Sequence, residues 1–104
     1  MSQKPALPQH EIVMLAETFR LLGDPTRLRI LLFCLGGPQA VGDIAENLDL
    51  SQTLVGHHLR LLRGARLVRG ERRSRQVFYA LSDKHVSDML MDMASHIAED
   101  DADE

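Results

Sequence analysis

The sequence predicts a mainly α-helical fold with one small β-hairpin. Two observations carry this. Apolar residues recur at three- and four-residue steps in five separate runs, and Gly, Pro, Asp and Ser stand between runs, where helices stop and start. Late in the chain, two short apolar stretches flank the basic segment RGERRSR, which is a hairpin pattern. A length of 104 residues suits a single domain.

Composition sets limits. The chain is 44% hydrophobic and 26% charged, ordinary for a globular protein, and with aromatics at 4% and no Trp its core must be aliphatic. One Cys excludes an intramolecular disulfide. No stretch approaches the ~18 apolar residues of a membrane span. The first residues, MSQKPALPQH, lack the apolar core of a secretory signal. The expected compartment is the cytoplasm, without membrane contact.

The elements follow in order. Residues 1–8 carry two prolines and no periodicity, and read as a flexible lead. From Gln9, the residues Ile12, Val13, Leu15, Ala16, Phe19 and Leu22 form an apolar helical face, stopped by Gly23. Asp24 caps a second helix with Pro25 at its first position. This helix is expected through Leu35, packing Leu28, Ile30, Leu31 and Leu32, before Gly36, Gly37 and Pro38 end it. Cys34 on it reads as a small buried apolar residue. Val41–Leu48 reads as a short helix with Val41, Ile44, Ala45 and Leu48 inward. Asp49 and Leu50 form a turn and Ser51 caps the next helix, over 52–63, which buries Leu54, Val55, Leu59 and Leu62. His57 and His58 are adjacent, so they point apart; His58 is expected to pack and His57 to face out.

A short helix, a tight turn and a longer helix with a polar face make a helix-turn-helix. Ser51, Gln52, Thr53, Gly56, His57, Arg60 and Arg63 lie on that polar face. They offer the hydroxyl, amide and guanidinium groups that meet base edges and phosphates. Leu67, Val68 and then Gln76–Leu81 read as strands. The loop between them is placed as a wing, whose Arg72, Arg73 and Arg75 can reach phosphates or a minor groove. The net charge is −3, but the average hides a polarised chain: residues 60–75 hold seven arginines against Glu71 alone, and residues 83–104 hold eight acids against Lys84 alone. The predicted class is therefore a winged helix-turn-helix that binds double-stranded DNA.

Residues 82–99 form a last helix, with Ser82 as its cap and Val86, Met89, Leu90, Met93 and Ile97 as an apolar stripe. It carries Asp83, His85, His96 and Glu99, a possible set of metal ligands. His85 and His96 return to nearly the same face, but lie roughly 16 Å apart along the axis. One metal ion cannot span that distance within one chain. Two copies of the helix packed antiparallel about a two-fold axis would bring Asp83 and His85 of one beside His96 and Glu99 of the other, giving two sites per dimer. Four polar residues on an exposed helix remain the alternative.

The order of elements and the strings LGDPTRLRILLFCL, VGDIAENLDLSQTLVGHHLRLLRGARLV and RQVFYALSDKH resemble the ArsR–SmtB family of bacterial metal-sensing repressors, over about residues 10–100. The pattern Asp-x-His, ten residues, His-x-x-Glu resembles its zinc-sensing branch. The resemblance implies that Asp83, His85, His96 and Glu99 bind metal and that the first and last helices make a homodimer. It further implies that metal releases operator DNA, derepressing metal-homeostasis genes, and that the second ring nitrogen of His96 meets the end of the recognition helix around Arg66. The domain would then span 9–99, with 100–104 a solvated acidic tail. By the same resemblance, members that bind soft metals carry cysteines at the start of the helix preceding the recognition helix; here Gln39, Ala40, Val41, Gly42 and Asp43 stand there, so no metal is expected at Asp43.

Two imidazoles and two carboxylates suit Zn(II), and Co(II) would fit the same donors. Ni(II) would call on more ligands, for which His10 is a candidate; Asp100 could replace Glu99. A Ni/Co-responsive repressor with the same site remains open, as does a winged-helix DNA binder answering a non-metal signal, such as redox at Cys34. No nucleophile–base pair stands out, so no enzyme is expected.

Overall fold

The computed structural model describes residues 6–102, with side chains through Glu99. Among these residues the order is α1 (Gln9–Leu22), α2 (Pro25–Phe33), β1 (Gln39–Ala40), α3 (Val41–Leu48), α4 (Gln52–Gly64), β2 (Val68–Arg73), β3 (Gln76–Leu81) and α5 (Lys84–Ala102). A short 3-10 turn, Cys34–Gly36, follows α2. Residues 1–5 of the lead, and Asp103 and Glu104 of the tail, lie outside the described residues, as does the side chain of Asp100.

Helices α2, α4 and α5 begin where a side chain takes an orphan N–H, whereas α1 and α3 start without a side-chain cap. The Asp24 carboxylate accepts the Arg27 N–H at 2.9 Å with Pro25 opening α2, and Ser51 Oγ accepts the Leu54 N–H at 3.0 Å. The last helix differs from expectation: it starts at Lys84, and its cap is Asp83, whose Oδ1 accepts the Val86 N–H at 3.1 Å. Ser82 instead donates its backbone N–H to the Leu67 carbonyl at 3.0 Å, which keeps it with the sheet. At the other end the backbone stays helical to Ala102, so the tail's first residues continue the helix.

Both α3 and α4 end in the same closure. The Leu50 N–H donates to the Ala45 carbonyl and the Leu67 N–H to the Leu62 carbonyl, each at 2.9 Å. Asp49 (φ 57°) and Arg66 (φ 61°) take the left-handed backbone this requires. Leu50 and Leu67 then fold back onto the core. Helix α2 stops two residues earlier than its apolar pattern suggests, because the chain tightens at Cys34 and turns at Gly37, φ 123°.

The hairpin is larger than predicted. Strand β2 runs to Arg73, so most of RGERRSR is strand, and Ser74 and Arg75 alone make the turn. The ladder runs from Val68 opposite Leu81 to Arg73 opposite Gln76. Strand β1 pairs Gln39 with Tyr79 and Ala40 with Phe78, making a three-stranded antiparallel sheet in the order β1-β3-β2. A two-residue strand carries no periodicity to read.

The core is aliphatic, as composition required. Ile30, Leu31, Ile44, Val55, Leu59, Leu62 and Val68 are fully buried, and Leu90 brings α5 onto them. Leu54 and Leu32, expected inside, sit at the surface instead. On α1 only Leu21 and Leu22 are buried; Ile12, Val13, Leu15 and Phe19 are exposed, as are Met93 and Ile97 on α5. The radius of gyration, 15.2 Å, exceeds the ~13 Å of a compact chain of this length. The outer helices thus present apolar surface that one chain does not cover. No helix among the described residues is long and apolar enough to cross a membrane.

Candidate nucleic-acid interface and metal centre

Helices α3 and α4 form the helix-turn-helix, and α2 braces their turn. Arg29 Nη2 donates to the Leu48 carbonyl at 2.9 Å, placing a cation at the C-terminal end of α3. Beyond the turn, Gln52, Thr53, His57, Arg60 and Arg63 are exposed along one side of α4, with Ser51 exposed at its cap. Gly56 is half-buried among them, with open space where a Cβ would stand. His58 faces inward, 8% exposed, and its Nδ1 has no hydrogen-bond partner. Burial holds its pKa below the usual histidine range; Asp24 opposes this, while the charges of Arg27 and His57 add to it.

The wing separates its arginines. Arg72, Arg73 and Arg75 are all exposed, but they differ in their partners. Arg73 is tied back: its Nη2 donates to Glu71 Oε1 at 3.3 Å, and its guanidinium carbon lies 5.1 Å from the centroid of the Phe78 ring. The other carboxylate oxygen of Glu71 accepts from Arg69 Nη2 at 3.1 Å. Arg69 Nη1 in turn donates to the carbonyls of Ser82, at 2.9 Å, and Leu81, at 3.4 Å. Residue spacing alone does not single out Arg69 and Glu71. The signal is their alternation, i to i+2 on one strand face, which becomes visible once β2 is known to extend through the segment.

Asp83, His85, His96 and Glu99 all lie on or at the start of α5, and all are exposed. The helix is continuous between them, so the two pairs stand at opposite ends. Among the described residues of one chain, no three His, Cys, Asp or Glu side chains come together to hold a metal ion. Asp83 is fixed by its capping bond through Oδ1. The donor chemistry, two imidazoles and two carboxylates reachable from outside, fits a borderline metal such as zinc once a second chain supplies the other half. Asp43 is an exposed acid in the first turn of α3. His10 is exposed at the start of α1, with Nε2 4.0 Å from Glu11. Cys34 is 3% exposed, and burial pushes its thiol up to about 11, which disfavours the reactive thiolate.

Comparison with known proteins places these features. Residues 24–69, from the α2 cap into the wing, match the bacterial regulatory protein arsR family. The HTH-type transcriptional repressor SmtB of Mycobacterium tuberculosis is 37% identical over 97 residues, covering 92% of this chain and 72% of that protein. The chain belongs to the ArsR family. The transcriptional repressor SmtB homolog of Synechocystis sp. is 39% identical over 87 residues, 84% of this chain and 66% of its own length. Among solved structures, the homodimeric winged helix-turn-helix DNA-binding domain Mb0332 of Mycobacterium bovis superposes with a TM-score of 0.83 over 98% of this chain and 94% of that one; at 20% identity it shows the shared fold. The cadmium metal-sensor CMTR of Mycobacterium tuberculosis is 43% identical, with a TM-score of 0.66 over 74% of this chain and 80% of that one. Within the ArsR family, then, this chain is similar to one named metal-sensor and to named repressors, and it has a mainly helical winged fold.

Proposed function

We propose that this protein is a metal-responsive transcriptional repressor working as a homodimer. The metal-free dimer holds operator DNA through α4 and the wing. Zn(II), bound at two sites made by Asp83 and His85 of one chain with His96 and Glu99 of the other, lowers that affinity and derepresses metal-homeostasis genes. The observation that carries this reading is the layout of α5: two donor pairs at opposite ends of one helix, beside apolar surface that awaits a partner. An antiparallel second copy covers the apolar face and completes both sites at once.

Zinc held by these four residues would link the two chains. The residues do the rest. Asp83 keeps α5 capped while presenting its second oxygen. His96 spends one ring nitrogen on the site and keeps the other for a protein acceptor. The joined helices favour a dimer geometry in which the two recognition helices no longer match successive major grooves. The coupling is reciprocal, so DNA weakens metal binding by the same factor.

The donor set favours Zn or Co over cadmium. CMTR is named a cadmium sensor, but this chain has one Cys, buried in the 3-10 turn after α2 and hard to ionise. Ni with an added ligand from His10 is the second reading, because His10 stands exposed on α1, in the expected dimer interface.

Mixed dimers test the site. One chain carries Asp83→Ala with His85→Ala, and its partner carries His96→Ala with Glu99→Ala. Sites shared between chains leave one intact site, so the mixed dimer binds one zinc while either parent homodimer binds none. No zinc in the mixed dimer would contradict the proposed ligand arrangement.

A further inference from the structure

The wing and the start of α5 are joined by a line of polar contacts that the proposed function leaves unused. Arg69, Glu71 and Arg73 occupy alternate positions of β2, on the face opposite buried Val68. Arg73 donates to one oxygen of Glu71 at 3.3 Å and Arg69 to the other at 3.1 Å. The second terminal nitrogen of Arg69 bonds the Ser82 carbonyl at 2.9 Å and the Leu81 carbonyl at 3.4 Å. Leu81 is the last residue of β3, and Asp83, next after Ser82, caps α5. One guanidinium therefore spans the joint between β3 and α5, immediately before Asp83.

Exposed ion pairs of this kind add little to stability. Their consequence is geometric. The planar fork of arginine holds two acceptors in fixed directions, which a lysine does not reproduce. Arg73 is held at the other end of the line by Glu71 and by the Phe78 ring, beside the turn that carries Arg75. The opening of α5 and the outer wing thus form a connected body.

We propose that Arg69 is a positioning residue linking the Asp83–His85 end of α5 to the arginine wing. A change in the joint at Ser82 is passed through Arg69 and Glu71 to Arg73 and the wing turn. This rests on the metal-responsive reading, and it adds a route by which metal on α5 reaches the DNA-binding face. A contiguous set of contacts becomes a coupling route only when breaking it changes the coupling itself.

The test uses the full-length dimer with Arg69→Ala, Arg69→Lys and Glu71→Ala. Operator affinity is measured with and without zinc at several salt concentrations, and zinc affinity is measured without DNA by competition with a chelating dye. The link predicts unchanged zinc stoichiometry and DNA-free zinc affinity in every variant. It predicts that the ratio of metal-free to zinc-bound operator affinity falls about tenfold or more in Arg69→Ala, with Arg69→Lys and Glu71→Ala between it and the wild type. If both operator affinities fall together with a flatter salt slope and an unchanged ratio, Arg69 is a phosphate contact and the link is overturned. Should Arg69→Ala fail to fold, an unchanged ratio in Glu71→Ala overturns it equally. A wild-type ratio near one contradicts the repressor reading itself, and the link falls with it.

Discussion

Asp83 Oδ1 accepts the backbone N–H of Val86 at 3.1 Å, so the residue expected to open the metal site is also the residue that starts the helix. The cap engages one oxygen of the carboxylate, so the candidate metal role would fall to the other. A single side chain therefore ties the geometry of the candidate site to the beginning of α5.

Substitution separates the two roles. Asparagine caps helices about as well as aspartate, so Asp83→Asn is expected to unfold at the wild-type denaturant midpoint while losing about tenfold or more in zinc affinity. Asp83→Ala loses both, with a further ~1 kcal/mol of stability from the missing cap. Denaturant unfolding and zinc competition read the two effects independently. An Asn variant with wild-type zinc affinity would remove Asp83 from the ligand set.

The wing predicts unequal arginines. Arg72, Arg73 and Arg75 are all exposed, but Arg73 is engaged by Glu71 and Phe78. Replacing Arg72 and Arg75 by Ala should flatten the dependence of log affinity on log salt by about 0.9 for each phosphate no longer neutralised. Arg73→Ala should flatten it less. Equal slopes for all three single variants would show that Arg73 leaves Glu71 to reach DNA.

His58 predicts a pH dependence of folding. Its pKa in the folded chain is lowered, chiefly by burial, below the 6.5 of an ordinary histidine. Between those two values the unfolded chain binds more protons than the folded one, so stability rises with pH there. Stability is full above about 6.5 and falls as pH drops through the folded value. In His58→Leu this loss disappears, and no buried Nδ1 is left unpaired. Urea unfolding from pH 7.5 to 5 checks it; a His58→Leu profile parallel to wild type would assign the dependence to another group.

Gly56 lies inside α4 with nothing within 4 Å of where a Cβ would stand. Gly56→Ala should therefore stabilise the protein by up to ~1 kcal/mol, read as a higher unfolding midpoint. A fall in operator affinity in the same folded variant would place this position directly against DNA.

Much of this architecture is legible in the residues because the local signals agree. Asp24 with Pro25, and Ser51 before Gln52, name two helix starts that the structure repeats. Ile30, Ile44, Leu59 and Leu62 follow from helical periodicity. The differences arise where a tertiary contact outweighs a local preference. Ser82 is a good cap, but its N–H is taken by Leu67 of the sheet, and Asp83 caps instead. The arginines of RGERRSR suggest a loop, yet the ladder with β3 satisfies their backbone as strand. The apolar face of α1 is plain in the sequence, but the fold of one chain leaves it exposed. The candidate metal site is legible for the same reason it is incomplete: helical spacing places both donor pairs while keeping them a helix length apart.

The most direct measurement is fluorescence anisotropy of the dimer on DNA from its own upstream promoter, with zinc added and then removed by a chelator. Metal-responsive repression predicts tight binding without metal, release on zinc, recovery on chelation, and no release in His96→Gln. Tight binding that ignores zinc, or release by zinc that survives in His96→Gln, would contradict it.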